Sequence, residues 1–171
     1  MELRDKNGLT EEEFLKQYNA DKYPKPSVTA DIAVIAHEGD TRYILLIQRG
    51  GHPYLGCWAL PGGFSNKNER IEHVANRELE EETGVKGLDL KLVGVYSKPG
   101  RDPRGWTMSC AYKADVNKGD VKAQAGDDAA NAKWFKVNEK DYSLTCENTT
   151  LHLEDLAFDH NEIVSDALNM K

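Results

Sequence analysis

The chain has 171 residues, with 29 acidic against 22 basic side chains and a net charge of −7. That length suits one domain with a sizeable core, and the acidic balance argues against nucleic acid as a partner while leaving small anions open, since local cations outweigh a diffuse charge. Cys57, Cys110 and Cys146 lack C-x-x-C spacing and read as free thiols in a reducing compartment; with no signal-like amino terminus and only strand-sized apolar runs, a soluble cytoplasmic protein without a membrane partner is expected.

Residues 1–26 read as an amino-terminal extension and residues 27–171 as the main domain. In the extension, Thr10 followed by Glu13 fits a capping box that opens a short helix to about Tyr18, and Pro24 and Pro26 break the chain after it. Ser27 to Ala36 and Tyr43 to Arg49 then read as a strand pair joined through Glu38-Gly39-Asp40. Trp58 to Gly62 leads toward a helix from about Glu69 to Thr83. Leu88 to Ser97 and Thr107 to Val116 are two further strands, Ala132 to Val137 is a last strand, and His160 to Asn169 is a closing helix. The order is α/β, with a mixed sheet between helices.

The helix from Glu69 carries the chemistry. Turned at about 100° per residue, it places Ile71, Val74, Ala75 and Leu79 on one side, and Glu78 and Glu82 project into that same stripe with Glu81 on its flank. Buried carboxylates this close repel one another and are costly unless a positive charge shares the site, so a divalent cation is expected there. Hard oxygen ligands suit magnesium or manganese. Glu72 and Glu80 point away and read as solvated. Arg77 offers a planar fork suited to fixing Glu69 or Glu81. Gly62 and Gly63 are expected to turn the chain sharply and bring backbone carbonyl oxygen near the metal, and Gly84 to end the helix.

Gly63, Glu69, Arg77, Glu78, Leu79, Glu81, Glu82, Gly84 and Val85 follow the pattern G-x5-E-x7-R-E-U-x-E-E-x-G-U, where U is a bulky aliphatic. This run resembles the Nudix box. The resemblance implies an α/β/α sandwich with a mixed central β-sheet. It also implies a metal-dependent hydrolase that cleaves a nucleoside diphosphate linked to another moiety. Carried over residue by residue, Glu78 and Glu82 would be the principal ligands, Glu81 a ligand or base, and the Gly63 carbonyl a further ligand. Arg77 and Glu69 would support the catalytic set.

Outside the box, the loop Gly100 to Trp106 places Arg101, Arg104 and Trp106 between two strands, offering two guanidinium groups for phosphate and an indole for a base. The loop is similar to one in bacterial ADP-ribose pyrophosphatases and in the Nudix half of bifunctional nicotinamide-nucleotide adenylyltransferases. The lead-in from Arg49 to Pro53, the run Trp58 to Phe64 and the tail Leu156 to His160 share that similarity. ADP-ribose, cleaved to AMP and ribose 5-phosphate, is therefore the expected substrate, with Arg49, Arg101, Arg104 and Trp106 binding it. Asp128, beside Asp127 before the last strand, stands where the family often supplies a distant acid. Tyr54, Trp58, Phe64 and Tyr96 are expected near the mouth of the site, mainly as packing, and His160 in packing or capping the last helix. Two alternatives stay open, namely a sanitising hydrolase for oxidised deoxynucleoside triphosphates and an ADP-ribose-sensing module without turnover. A homodimer is compatible with the resembled group.

Overall fold

The computed structural model describes residues 2–123 and 129–170. A short helix, α1 (Glu11–Gln17), opens on Thr10, whose hydroxyl accepts the Glu13 N–H while the Glu13 carboxylate accepts the Thr10 N–H, and none of its residues is buried. The described residues then form nine strands and two further α-helices. In chain order these are β1 (Ser27–Glu38), β2 (Thr41–Arg49), β3 (Trp58–Ala59), β4 (Gly62–Phe64), α2 (Ile71–Thr83), β5 (Lys91–Tyr96), β6 (Thr107–Asn117), β7 (Ala129–Val137), β8 (Leu144–Cys146), β9 (Thr149–Leu151) and α3 (His160–Asn169).

The sheet runs β5-β6-β1-β2-β7-β8-β9, with β3 beside β2 and β4 beside β1. Strands β1 and β6 are parallel and the other pairings antiparallel, so the sheet is mixed. Helices cover both faces, which explains why β1 is apolar almost continuously rather than alternately. Ala30, Ile32 and Val34 face Val74, Ala75 and Leu79 of α2, while Ala33 and Ile35 join Ile163, Val164, Ala167 and Leu168 of α3. Each fully buried Leu, Ile or Val contributes roughly 1.5–3 kcal/mol of transfer free energy to this three-layer α/β/α packing.

One feature of the register opens the functional pocket. Strand β1 pairs with β2 only from Ile35 to Glu38, whereas Thr29 to Asp31 pair with β4 instead. The far end of β2 pairs with β3. The strands thus fork, and the link Leu60-Pro61 bridges the prongs, with Pro61 oxygen accepting the Ile32 N–H.

The sequence places α2 two residues too early. Glu69 lies in the preceding turn, where its carboxylate accepts the backbone and side-chain N–H groups of Asn66, and the helix begins at Ile71. Gly84 ends it in the left-handed region, at φ 69°, with its N–H on Glu80 oxygen. The β8–β9 hairpin turns at Glu147, φ 52°, and escapes a reading of apolar alternation because each strand is only three residues long, too short for a period to show.

Candidate active site

Along one wall of the fork stand the carboxylates of α2. The Gly62 N–H donates to Glu82 Oε2 at 2.9 Å. Gly62 and Gly63 do not take positive φ; both are glycine for lack of space. A Cβ at Gly62 would collide with Ala30 oxygen and stand 2.9 Å from Asp31 Cα, and one at Gly63 would collide with the Glu78 carboxyl group. The expected sharp turn is thus a close approach of strand to helix, dictated by packing.

Arg77 organises the remaining acids. Its Nε and Nη2 fork Glu69 at 2.9 and 3.0 Å, its Nη1 donates to Glu78 at 2.6 Å and Glu81 at 3.0 Å, and Nη2 also donates to Phe64 oxygen at 3.0 Å. The sequence offered Glu69 or Glu81 as its partner; the guanidinium holds both, and Glu78 as well. Those bonds hold the Glu69 carboxyl down at about 2 and raise Arg77 above its ordinary value. Burial pushes Glu82 up to about 7, against the pull of the Gly62 N–H and with the nearby Glu78 and Asp31 charges adding to the rise. Burial likewise raises Glu78, against Arg77.

The donor chemistry fits a hard divalent cation: clustered carboxylate oxygens that repel one another, on a helix braced by a single guanidinium. Among the described residues no three acidic, histidine or cysteine groups already converge on a common metal position. Arg77 holds one oxygen of Glu78 and one of Glu81, which leaves the second oxygen of each outside its fork.

Another stretch of the lining is cationic. The Arg49 guanidinium lies 4.9 Å and the Arg104 guanidinium 5.5 Å from the ring centre of Phe158, and Arg104 also stacks on Phe64 at 4.7 Å. Asp102 takes the Nε and Nη2 of Arg104. Arg49 donates its Nε to Pro53 oxygen and forms no ion pair among the described residues; burial and the nearby Arg104 charge lower its pKa. Both stretches border a cavity of about 780 Å³, lined also by Thr29, Asp31, Ile47 and His160.

The expected substrate residues divide. Arg49 and Arg104 line the cavity with donors to spare. Arg101 borders it too, but its side chain is 4% exposed and its fork closes on Asp159 at 2.7 and 2.6 Å. Trp106 is 56% exposed and lies outside the cavity lining, its carbonyl accepting the Ser27 N–H. Asp128 and Asp127 lie outside the described residues. Of the aromatics expected at the mouth, Phe64 lines the cavity and Tyr54 packs on Phe158, whereas Trp58 packs on Phe135 and Tyr96 donates to Asp166. The sequence reading passed over Asp31, Asp102, Phe158 and Asp159 as site residues. The tail Leu156 to His160 was the signal for two of them. A second cavity, of about 660 Å³, sits at the other end of β1 beside His37 and Asp115 and contains no comparable acid cluster. Among the described residues no helix is long and apolar enough to cross a membrane.

Comparison with known proteins agrees with this geometry. A family model for the NUDIX domain matches residues 26–151. The chain is 41% identical over 157 residues to an ADP-ribose pyrophosphatase of Methanocaldococcus jannaschii, covering 92% of this chain and 80% of that protein. A MutT/nudix family protein from Enterococcus faecalis superposes with a TM-score of 0.83 at 38% identity, covering 94% of this chain and 69% of that one. The NUDIX domain of Shewanella oneidensis NrtR, crystallised with ADP ribose, superposes with a TM-score of 0.75 at 27% identity, covering 94% and 98%.

Proposed function

This chain belongs to the Nudix family and is a Nudix hydrolase, and we propose that its substrate is ADP-ribose, cleaved to AMP and ribose 5-phosphate with magnesium. The observation that carries the proposal is a single cavity lined by both free guanidinium donors and clustered carboxylates. Arg49, a half-buried guanidinium without a carboxylate partner among the described residues, lines the same cavity as Glu78, Glu81 and Glu82 of α2. A diphosphate fits that lining, with its charge shared between guanidinium donors and a cation held by carboxylates.

Nudix hydrolases work with a divalent cation, which supplies charge neutralisation on the phosphates and a more acidic water. In our reading Glu78 and Glu82, with the carbonyl of Gly63, hold it. Glu81 accepts the proton of the attacking water, a role in which Asp128 is the other candidate. Arg77 and Glu69 keep the carboxylates in place, and Arg77 acts on the reaction only through them. Arg49 and Arg104 bind phosphate oxygens, and their stacking on Phe158 and Phe64 limits how far each guanidinium moves. One water is consumed and one phosphoric anhydride bond is broken.

The ADP-ribose-bound NrtR domain supports a second reading, in which the same pocket binds ADP-ribose without turning it over. A magnesium-dependent hydrolysis screen over ADP-ribose, NADH, diadenosine polyphosphates and 8-oxo-dGTP separates the readings. Highest kcat/KM on ADP-ribose supports the proposal. Preference for 8-oxo-dGTP refutes the substrate, and tight ADP-ribose binding without products favours a sensor.

A further inference from the structure

The first residues of α3 spend their polar groups inward. Asp159 holds the N-cap position of that helix, yet its side chain makes no cap bond and instead takes the fork of Arg101. Arg101 Nη2 is also 3.6 Å from Asp31 Oδ2, an oxygen that accepts the Ser109 hydroxyl. The next residue, His160, is 3% exposed; its Nε2 lies 3.5 Å from Asp31 Oδ1, and its Nδ1 accepts the Leu60 N–H at 2.9 Å. Among the described residues every buried side-chain polar atom has a partner. A ring that accepts at Nδ1 carries its proton on Nε2, facing Asp31, so both nitrogens are committed.

Leu60 belongs to the link between the prongs of the fork. Two residues later the Gly62 N–H holds Glu82, and after it Gly63 lies against Glu78. The close approach to α2 leaves this strand little room for error, and the Leu60 N–H bond to His160 is one of the bonds that bring it there. The strand pairs with β1 over only three residues.

We propose that His160 is a positioning residue for the hydrolysis. Through the Leu60 N–H it sets the strand Gly62-Gly63 against α2, and thereby the places of Glu82 and Glu78, while Asp31 fixes the ring from its other nitrogen. Arg101 and Asp159 hold the end of α3 from which the ring projects. This rests on the reading that Glu78 and Glu82 hold the cation. Partners bonded directly to a metal ligand typically change affinity or activity by about 10–100-fold when lost, and His160, acting through Leu60 and Gly62, is expected at the lower end of that range.

Two amide substitutions separate the ring's bond to Leu60 from its contact with Asp31. In His160→Asn the amide oxygen can stand where Nδ1 stands and keep the Leu60 N–H; in His160→Gln the longer side chain reaches toward Asp31 and gives up that acceptor. The full chain is measured for Mn2+ affinity by titration followed by electron paramagnetic resonance, for kcat and KM on ADP-ribose with magnesium, and for melting temperature. The Gln variant is expected to bind Mn2+ about tenfold more weakly and to lose roughly tenfold in kcat, with KM within about threefold, while the Asn variant stays within about threefold of wild type in Mn2+ affinity, kcat and KM. Equal behaviour of the two variants overturns the proposal, as does a fall in melting temperature alone. An Asn variant that loses Mn2+ affinity at an unchanged melting temperature overturns it by itself. Glu82→Gln, measured alongside, tests the ligand reading separately: wild-type Mn2+ affinity and turnover in that variant would remove the premise, whatever the His160 pair shows.

Discussion

Gly63 lies so close to Glu78 that a Cβ added to it would stand 2.6 Å from Glu78 Oε1 and closer still to the other two carboxyl atoms. What it meets is the far end of a flexible side chain, which can rotate away. At Gly62 the added atom meets Ala30 oxygen and Asp31 Cα, backbone that cannot yield without moving β1. Gly63→Ala should therefore fold with a melting temperature near wild type but lose at least about tenfold in kcat, because Glu78 is displaced. Gly62→Ala should melt lower, since overpacking of this kind costs about 1–3 kcal/mol. Thermal unfolding and steady-state kinetics on the pair check both statements.

Arg101 is bound to Asp159 and near Asp31 inside the protein, with almost no exposed surface. Arg101→Met leaves both carboxylates buried without their cation. The expected loss is about 3–5 kcal/mol of stability, read from denaturant unfolding in the absence of substrate. A residue used only to grip phosphate would leave the unfolding midpoint unchanged when replaced.

Arg49 and Arg104 should differ in how they affect substrate. Arg49 faces the cavity without a carboxylate partner among the described residues, whereas Arg104 is already shared with Asp102. A charge-assisted hydrogen bond contributes about 1.5–3 kcal/mol, so Arg49→Ala should lower kcat/KM for ADP-ribose by tenfold to about a hundredfold, mostly through KM. Arg104→Ala should have the smaller effect. The reverse order would assign the phosphate to Arg104.

Trp106 is exposed and away from the cavity lining. Trp106→Ala should leave KM for ADP-ribose within about twofold of wild type, and a larger change would bring the indole back as a base-stacking group.

How much of the site can be read from sequence follows from how far apart its parts lie in the chain. Glu69, Arg77, Glu78, Glu81 and Glu82 sit on or beside one helix, where spacing alone fixes which side chains share a face, so the acidic wall is legible. Arg101 was expected to bind substrate, and its pairing could not be foreseen because the carboxylate that takes its fork is 58 residues away, so that only the folded chain brings Asp159 to it. The bond from Leu60 to His160 spans 100 residues and was invisible for the same reason. The longer strands of the core announced themselves through apolar runs, while the three-residue strands β8 and β9 and the fork between β1 and β2 carry no such mark. Gly62 and Gly63 were recognised as significant for a turn they do not make, since a close approach between strand and helix leaves no local signature beyond the glycine itself.

The most direct test of the central claim is to incubate the wild-type chain and Glu82→Gln with ADP-ribose and magnesium, side by side, and to resolve the products by chromatography. The account predicts equal amounts of AMP and ribose 5-phosphate from wild type, none when the cation is chelated, and a loss of at least about a hundredfold in Glu82→Gln at an unchanged melting temperature. Turnover by the Gln variant at the wild-type rate, or a wild-type protein that leaves ADP-ribose intact under saturating magnesium, would contradict it.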